Sequence, residues 1–127
     1  MSATRILVVD DDENICRVVQ RMLEAAGYAV DVATNGHEAL AKLAPDVAVV
    51  LSDVLMPEMD GLEMLRRLRT EAPHAKIISM SGGGIQDKEH VLEIAQRLGA
   101  AKTLSKPFTR EELLGTIDGV LSDKPGS

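Results

Sequence analysis

Short runs rich in β-branched residues take turns with segments of helical period along the whole sequence. "RILVVD", "YAVDVA", "DVAVVLS", "AKIISMS" and "AKTLS" read as strands at residues 5–10, 28–33, 46–52, 75–81 and 101–105. Between the first two, Ile15, Val18, Val19, Met22, Leu23 and Ala26 recur at helical spacing as a single apolar face, with Gly27 as its stop. Further helices are expected over residues 36–42, 61–70, 87–98 and 109–121. Asp60 is a cap for the third of the five, Gly99 an end for the fourth, and Thr109 with Glu112 forms a capping box for the last. A chain that alternates strand and helix in this way lays its strands parallel and covers both faces of the sheet with helices. The third run, "VAVVL", is apolar without a break, as a central strand buried on both faces requires. The expected fold class is therefore α/β, a five-stranded parallel sheet with five flanking helices.

At 127 residues and 45% apolar content the chain suits one domain over residues 1–127, with a core at about 5–121 and a flexible tail at 122–127, "SDKPGS". No apolar run approaches the roughly 18 residues of a membrane span. The start, "MSATRILVV", passes into Asp10 without the apolar core of a secretory signal. A lone cysteine, Cys16, suits a reducing compartment and reads as inert, so a cytoplasmic location is expected, without membrane attachment. A net charge of −6 has the wrong sign for gripping phosphate backbones, and 2% aromatic residues leave little for base stacking. Direct nucleic-acid binding is not expected.

In open parallel sheets the ligand site lies beyond the carboxyl ends of the strands, near the point where strand order reverses. The first strand ends on Asp10 and Asp11, the third on Asp53, the fourth on Ser81 before "GGG", and the fifth on Lys106 before Pro107. Neighbouring carboxylates repel by about 1 kcal/mol even in water. A hard divalent cation offsets that repulsion, and Mg²⁺ suits one or two carboxylates plus waters and a phosphate oxygen. Beside such an ion a carboxylate can attack phosphorus, and Asp53 is the candidate nucleophile. Lys106 would add positive charge, and the Ser81 hydroxyl a donor to a phosphoryl oxygen. Asp12 and Glu13 read as first-turn acids suited to the helix dipole. The methionines read as packing residues, and His37, His74 and His90 lie away from the strand ends.

Taken together, "ILVVDDDE", "LSDVLMPEMDGLEML", "MSGG" and "LSKPF" make the sequence resemble the receiver domains of bacterial two-component response regulators over about residues 5–121. The resemblance implies a flavodoxin-like sheet in the order 2-1-3-4-5. It implies Asp53 as phosphoacceptor and Asp10, Asp11 and Asp53 as Mg²⁺ ligands, with Leu55 a fourth through its backbone carbonyl. Ser81 becomes the switch hydroxyl and Lys106 the lysine on the phosphoryl group, with a cis Lys106–Pro107 bond. Thr103 stands where the family often has an aromatic ring or His, so a response confined to the "SMSGGG" loop and the helix over 87–98 is expected. Leu55 and Gly83 bring no acid or amide to guide water, which implies a phosphoryl group that is not unusually short-lived. The likeness is to stand-alone receivers. It implies a histidine kinase or histidine phosphotransfer protein as donor, docking near Asn14, Ile15, Pro107 and Phe108, and an unknown protein as downstream partner.

Two alternatives stand beside this reading. Asp10-x-Asp12 after an apolar strand also looks like the D-x-D of haloacid-dehalogenase-type phosphotransferases, although "KPFTREEL" reads as a capping box and not as their second acidic pair. A receiver fold that docks partners without accepting phosphate is the other. In the favoured reading the chain is not an enzyme beyond catalysing its own aspartyl phosphorylation and dephosphorylation.

Overall fold

A computed structural model describes residues 4–53, 61–81 and 101–122, with the backbone alone for 61–65 and 81. The order is β1 (Arg5–Val9), α1 (Glu13–Ala25), β2 (Ala29–Ala33), α2 (Gly36–Ala41), β3 (Val47–Asp53), α3 (Gly61–Glu71), β4 (Lys76–Ser81), β5 (Lys102–Ser105) and α4 (Arg110–Ser122). All five strands are parallel in the order β2-β1-β3-β4-β5, as the resemblance implied. Element ends agree with expectation to within a residue or so. The predicted helix over 87–98, with its Gly99 end, lies outside the described residues, as do the Asp60 cap, Leu55, Gly83, His90 and the tail at 123–127.

Alternation along β1 divides the interior in two, because successive side chains leave a strand on opposite faces. Leu7 and Val9 pack with Ala39, Leu68 and Ala72 on the side of α2 and α3. Ile6 and Val8 pack with Val19, Leu23, Leu113 and Ile117 on the side of α1 and α4. Each fully buried Leu or Ile of these layers contributes about 1.5–3 kcal/mol relative to exposure. β3, flanked by β1 and β4, is buried from Val49 to Asp53, which is why its run could be apolar throughout.

The helices begin and end where the local chemistry directs. Asp12 caps α1, accepting from the amides of Asn14 and Ile15, which bears out its reading as a helix-start acid. At the other end the Tyr28 amide reaches the Leu23 carbonyl at 3.1 Å and the Gly27 amide the Glu24 carbonyl at 3.0 Å. This is a Schellman closure, with Gly27 at φ 98° in the left-handed region that its lack of a Cβ permits. Thr109 and Glu112 bond reciprocally at the start of α4, the expected capping box.

The apolar face of α1 is covered along one side only: Cys16, Val19 and Leu23 make the buried line, Ile15 and Met22 are half-buried, and Val18 is 51% exposed. Ala26, past the last helical residue, is exposed as well. At 3.6 residues per turn the stripe of Ile15, Val18 and Met22 lies beside the core line rather than over it.

Candidate functional site

Strand order reverses at β1, which has β2 on one side and β3 on the other. The crevice at this switch point is bounded by the residue after β1, Asp10, and the last residue of β3, Asp53. Asp10 is fully buried and Asp53 is 7% exposed, whereas Asp11 faces solvent. Carboxylate oxygens of the three lie within 4.8 Å of one another. Lys106, just past β5, reaches in from the other side and bonds to Asp10 Oδ2, with Asp53 Oδ2 at 3.3 Å. The Lys106–Pro107 bond is cis.

Asp10 is held at every polar atom. Its amide donates to the Ala33 carbonyl at 3.1 Å, its carbonyl accepts from the Cys16 thiol, its Oδ1 accepts from the Asp12 amide at 2.9 Å, and its Oδ2 accepts from Lys106. Burial pushes its carboxyl above the ordinary range, and the bonds from Lys106 and the Asp12 amide only partly reverse that. Burial also works against the Lys106 charge. The bond to Asp10 and the charge of Asp53 outweigh it, so the ammonium is held above its usual value. Cys16, buried and facing the Asp10 charge, is pushed up to about 11, which keeps its thiol protonated and fits its reading as inert.

The donor set suits a hard divalent ion: oxygen ligands only, two of them on buried strand ends, with three carboxylates against one ammonium leaving negative charge in excess. A groove of about 700 Å³ opens from the crevice, lined by Asp53 and Lys106 and by Ile15, Val18, Met22, Pro107 and Phe108. Its lining is mainly apolar.

Of the residues singled out from sequence, the fold brings Asp10, Asp11, Asp53 and Lys106 together. Ser81 is the last residue of β4, in register with Ser105, but its side chain lies outside the described residues, as does Leu55. Sequence reasoning passed over two contributors. Cys16 touches the Asp10 carbonyl, and Val18 lines the groove instead of the core. Val18 was legible in principle, since it falls one position before the line through Cys16, Val19 and Leu23. The thiol contact carried no sequence signal.

A doubly wound parallel sheet in this strand order, with three acids and a lysine converging at its carboxyl end, places the domain in the flavodoxin-like class with a site suited to a hard cation. The sequence profile of the response regulator receiver domain matches residues 6–118, and the chain belongs to that family. Receiver domains bind Mg²⁺ in an acidic pocket and are phosphorylated by histidine kinases. Among curated relatives, the Haemophilus influenzae CpxR homolog, a transcriptional regulatory protein, is 36% identical over 118 residues, which is 93% of this chain and 50% of that protein. The Bacillus subtilis transcriptional regulatory protein YkoG is 42% identical over 123 residues, 95% of this chain and 52% of its own length. The chain thus spans about half the length of these relatives. Among solved structures, the Vibrio cholerae chemotaxis protein CheY4 superposes with a TM-score of 0.83 at 33% identity, covering 94% of this chain and 99% of the other. No described helix is long and apolar enough to cross a membrane.

Proposed function

We propose that this is a Mg²⁺-dependent response regulator domain that takes a phosphoryl group onto Asp53 from a histidine kinase or histidine phosphotransfer protein and signals through protein contacts. The convergence of Asp10, Asp11 and Asp53 with Lys106 carries the reading. Asp10, Asp11, Asp53 and the Leu55 carbonyl would hold the ion, which supplies charge neutralisation when bound. An Asp53 oxygen attacks phosphorus, forming an O–P bond as the bond from phosphorus to the donor nitrogen breaks and its electron pair leaves with the imidazole. Lys106 meets the charge that develops on the phosphoryl oxygens, and the Ser81 hydroxyl donates to one of them. The apolar groove lined by Ile15, Val18 and Phe108 is where the donor docks, placing its phosphohistidine over the acids.

The test uses acetyl phosphate with Mg²⁺. Wild type is expected to gain one phosphoryl group, Asp53→Asn none, and Asp10→Asn less at a given Mg²⁺ concentration. Labelling that survives in Asp53→Asn but vanishes in Asp10→Asn would instead mark Asp10 as the nucleophile, the haloacid-dehalogenase pattern. No labelling of a folded, Mg²⁺-bound wild type would leave a docking module.

A further inference from the structure

We infer that Cys16 is a positioning residue for the metal site: its thiol fixes the Asp10–Asp11 peptide and so aims the Asp11 carboxylate, a role that rests on the Mg²⁺ reading of that site. Cys16 lies in the first turn of α1 and is 3% exposed. Its Sγ lies 3.3 Å from the Asp10 carbonyl and 3.8 Å from the Ala33 carbonyl, the oxygens found where β1 and β2 stop. A thiol has one proton, and the nearer acceptor is Asp10.

Three further bonds close the arrangement. The Cys16 amide donates to the Asp12 carbonyl at 3.1 Å, the Asp12 amide to Asp10 Oδ1 at 2.9 Å, and the Asp10 amide to the Ala33 carbonyl at 3.1 Å. The start of α1 is thereby tied back to the residue that leaves β1, through backbone to Asp12 and through sulfur to Asp10. Asp11 sits between them. Its side chain is exposed, and among the described residues no hydrogen bond or ion pair holds its carboxylate. The direction in which the Asp11 Cα–Cβ bond leaves the backbone therefore follows from the peptide plane behind it, whose oxygen is the Asp10 carbonyl. Removing the thiol leaves that buried oxygen without its described donor, and a buried polar group deprived of its partner pulls the backbone toward a new one. Groups one step removed from a metal commonly change affinity through such orientation.

Packing alone is the competing account, because a buried cysteine is also a small apolar residue. Alanine and serine differ little in volume, so Cys16→Ala and Cys16→Ser open similar gaps, but only serine keeps a donor. If Cys16 only fills space, the buried hydroxyl makes serine the worse variant and Mg²⁺ affinity does not change in either. If it positions the peptide, the two orders cross: alanine is at least as stable as serine to urea, yet binds Mg²⁺ more weakly.

The experiment titrates wild type and both variants with Mg²⁺, following the Asp10, Asp11 and Asp12 amide resonances, with urea unfolding measured separately without metal. Cys16→Ala is expected to weaken Mg²⁺ binding by about three- to tenfold, below the tenfold or more typical of lost orienting partners because a thiol is a weak donor. Cys16→Ser should lose less, and the Asp11 amide should shift most in the alanine variant. A folded Cys16→Ala with wild-type Mg²⁺ affinity, or affinity losses that follow the urea order, would overturn the assignment while leaving the metal site intact. A folded wild type that takes up no Mg²⁺ would overturn the metal reading first, and this role with it.

Discussion

At each end of the sheet a single cation bridges two carboxylates, and the two bridges differ in almost everything but formal charge. At the amino end, Arg5 Nε reaches Asp46 at 3.0 Å and Nη1 reaches Asp31 at 3.1 Å. At the carboxyl end, Lys106 joins Asp10 and Asp53. The Arg5 side chain is 33% exposed and its partners more so, whereas Lys106 is 13% exposed and Asp10 1%. Water competes for every charge of the first bridge, and its net worth is small. In the second, each charge has lost much of its hydration and depends on its neighbours. The arginine is spread across a surface, and its planar fork suits two carboxylates there. The lysine is a compact charge at the end of a flexible stem, so it can hold the acids together and still move when another cation or a phosphoryl group arrives.

The largest expected effect follows from that dependence. Removing one partner of a buried pair leaves the other charge uncompensated, which costs about 3–5 kcal/mol when both are fully buried. Lys106 retains some exposure, so Lys106→Met should destabilise the metal-free domain by about 2–3 kcal/mol at neutral pH. Millimolar Mg²⁺ should restore much of that, because the ion brings positive charge to the same acids. Urea unfolding with and without Mg²⁺ measures both. A Lys106→Met variant as stable as wild type without metal would show that the buried bridge is no more than a surface pair.

A second effect comes from Asp10 alone. Its carboxyl is raised above the ordinary 3.8 by burial, so the folded chain holds a proton that the unfolded chain has released across that window. Stability contributed by this group therefore falls as pH rises from 3.8 through the folded value, and the penalty is complete above it. Asp10→Asn removes the titration. In metal-free buffer the variant should gain on wild type as pH rises through that window, read as a growing difference in urea midpoint. A difference that stays flat would contradict a raised Asp10. Glu38, which accepts from the Thr34 amide and is lowered chiefly by that bond, has the opposite sign. Its contribution is present above 4.5 and is lost as pH falls through the lowered folded value, so it belongs to the background shared by both chains.

The two bridges were not equally legible in the sequence. Asp53 ends a strand of a recognisable parallel pattern and Asp10 and Lys106 each follow one directly, so their meeting follows from topology once the sheet is read. The bond of Lys106 to Asp10 beside that to Asp53 does not follow, since it depends on where a long flexible side chain comes to rest. Arg5, Asp31 and Asp46 lie within or just before β1, β2 and β3 and gave no sign of meeting, because an isolated charge on or beside a strand is usually solvated. Val18 escaped for a different reason. Hydrophobic period marks a stripe, but only packing decides whether a stripe one position wide of the core line is covered. The caps at Asp12, Gly27 and Thr109 were legible because they depend on bonds within a few residues.

The smallest expected effect is at the exposed end. Arg5→Met keeps most of the side chain's apolar stem and removes the guanidinium, while Asp31 and Asp46 keep water as a partner. The urea midpoint should shift several times less than for Lys106→Met, and molar salt should erase what shift there is, because exposed charges are screened over about 3 Å at that ionic strength. Arg5 has one further duty to separate from its charge. The register of β1 against β3 skips a residue between Arg5 and Ile6, which pair with Val47 and Val49. If the arginine fork holds that irregularity in place, Arg5→Lys will lose as much as Arg5→Met and salt will leave the loss unchanged. If charge alone matters, Arg5→Lys will match wild type. A salt-insensitive loss as large as that of Lys106→Met would mean that something other than burial separates the two ends of the sheet.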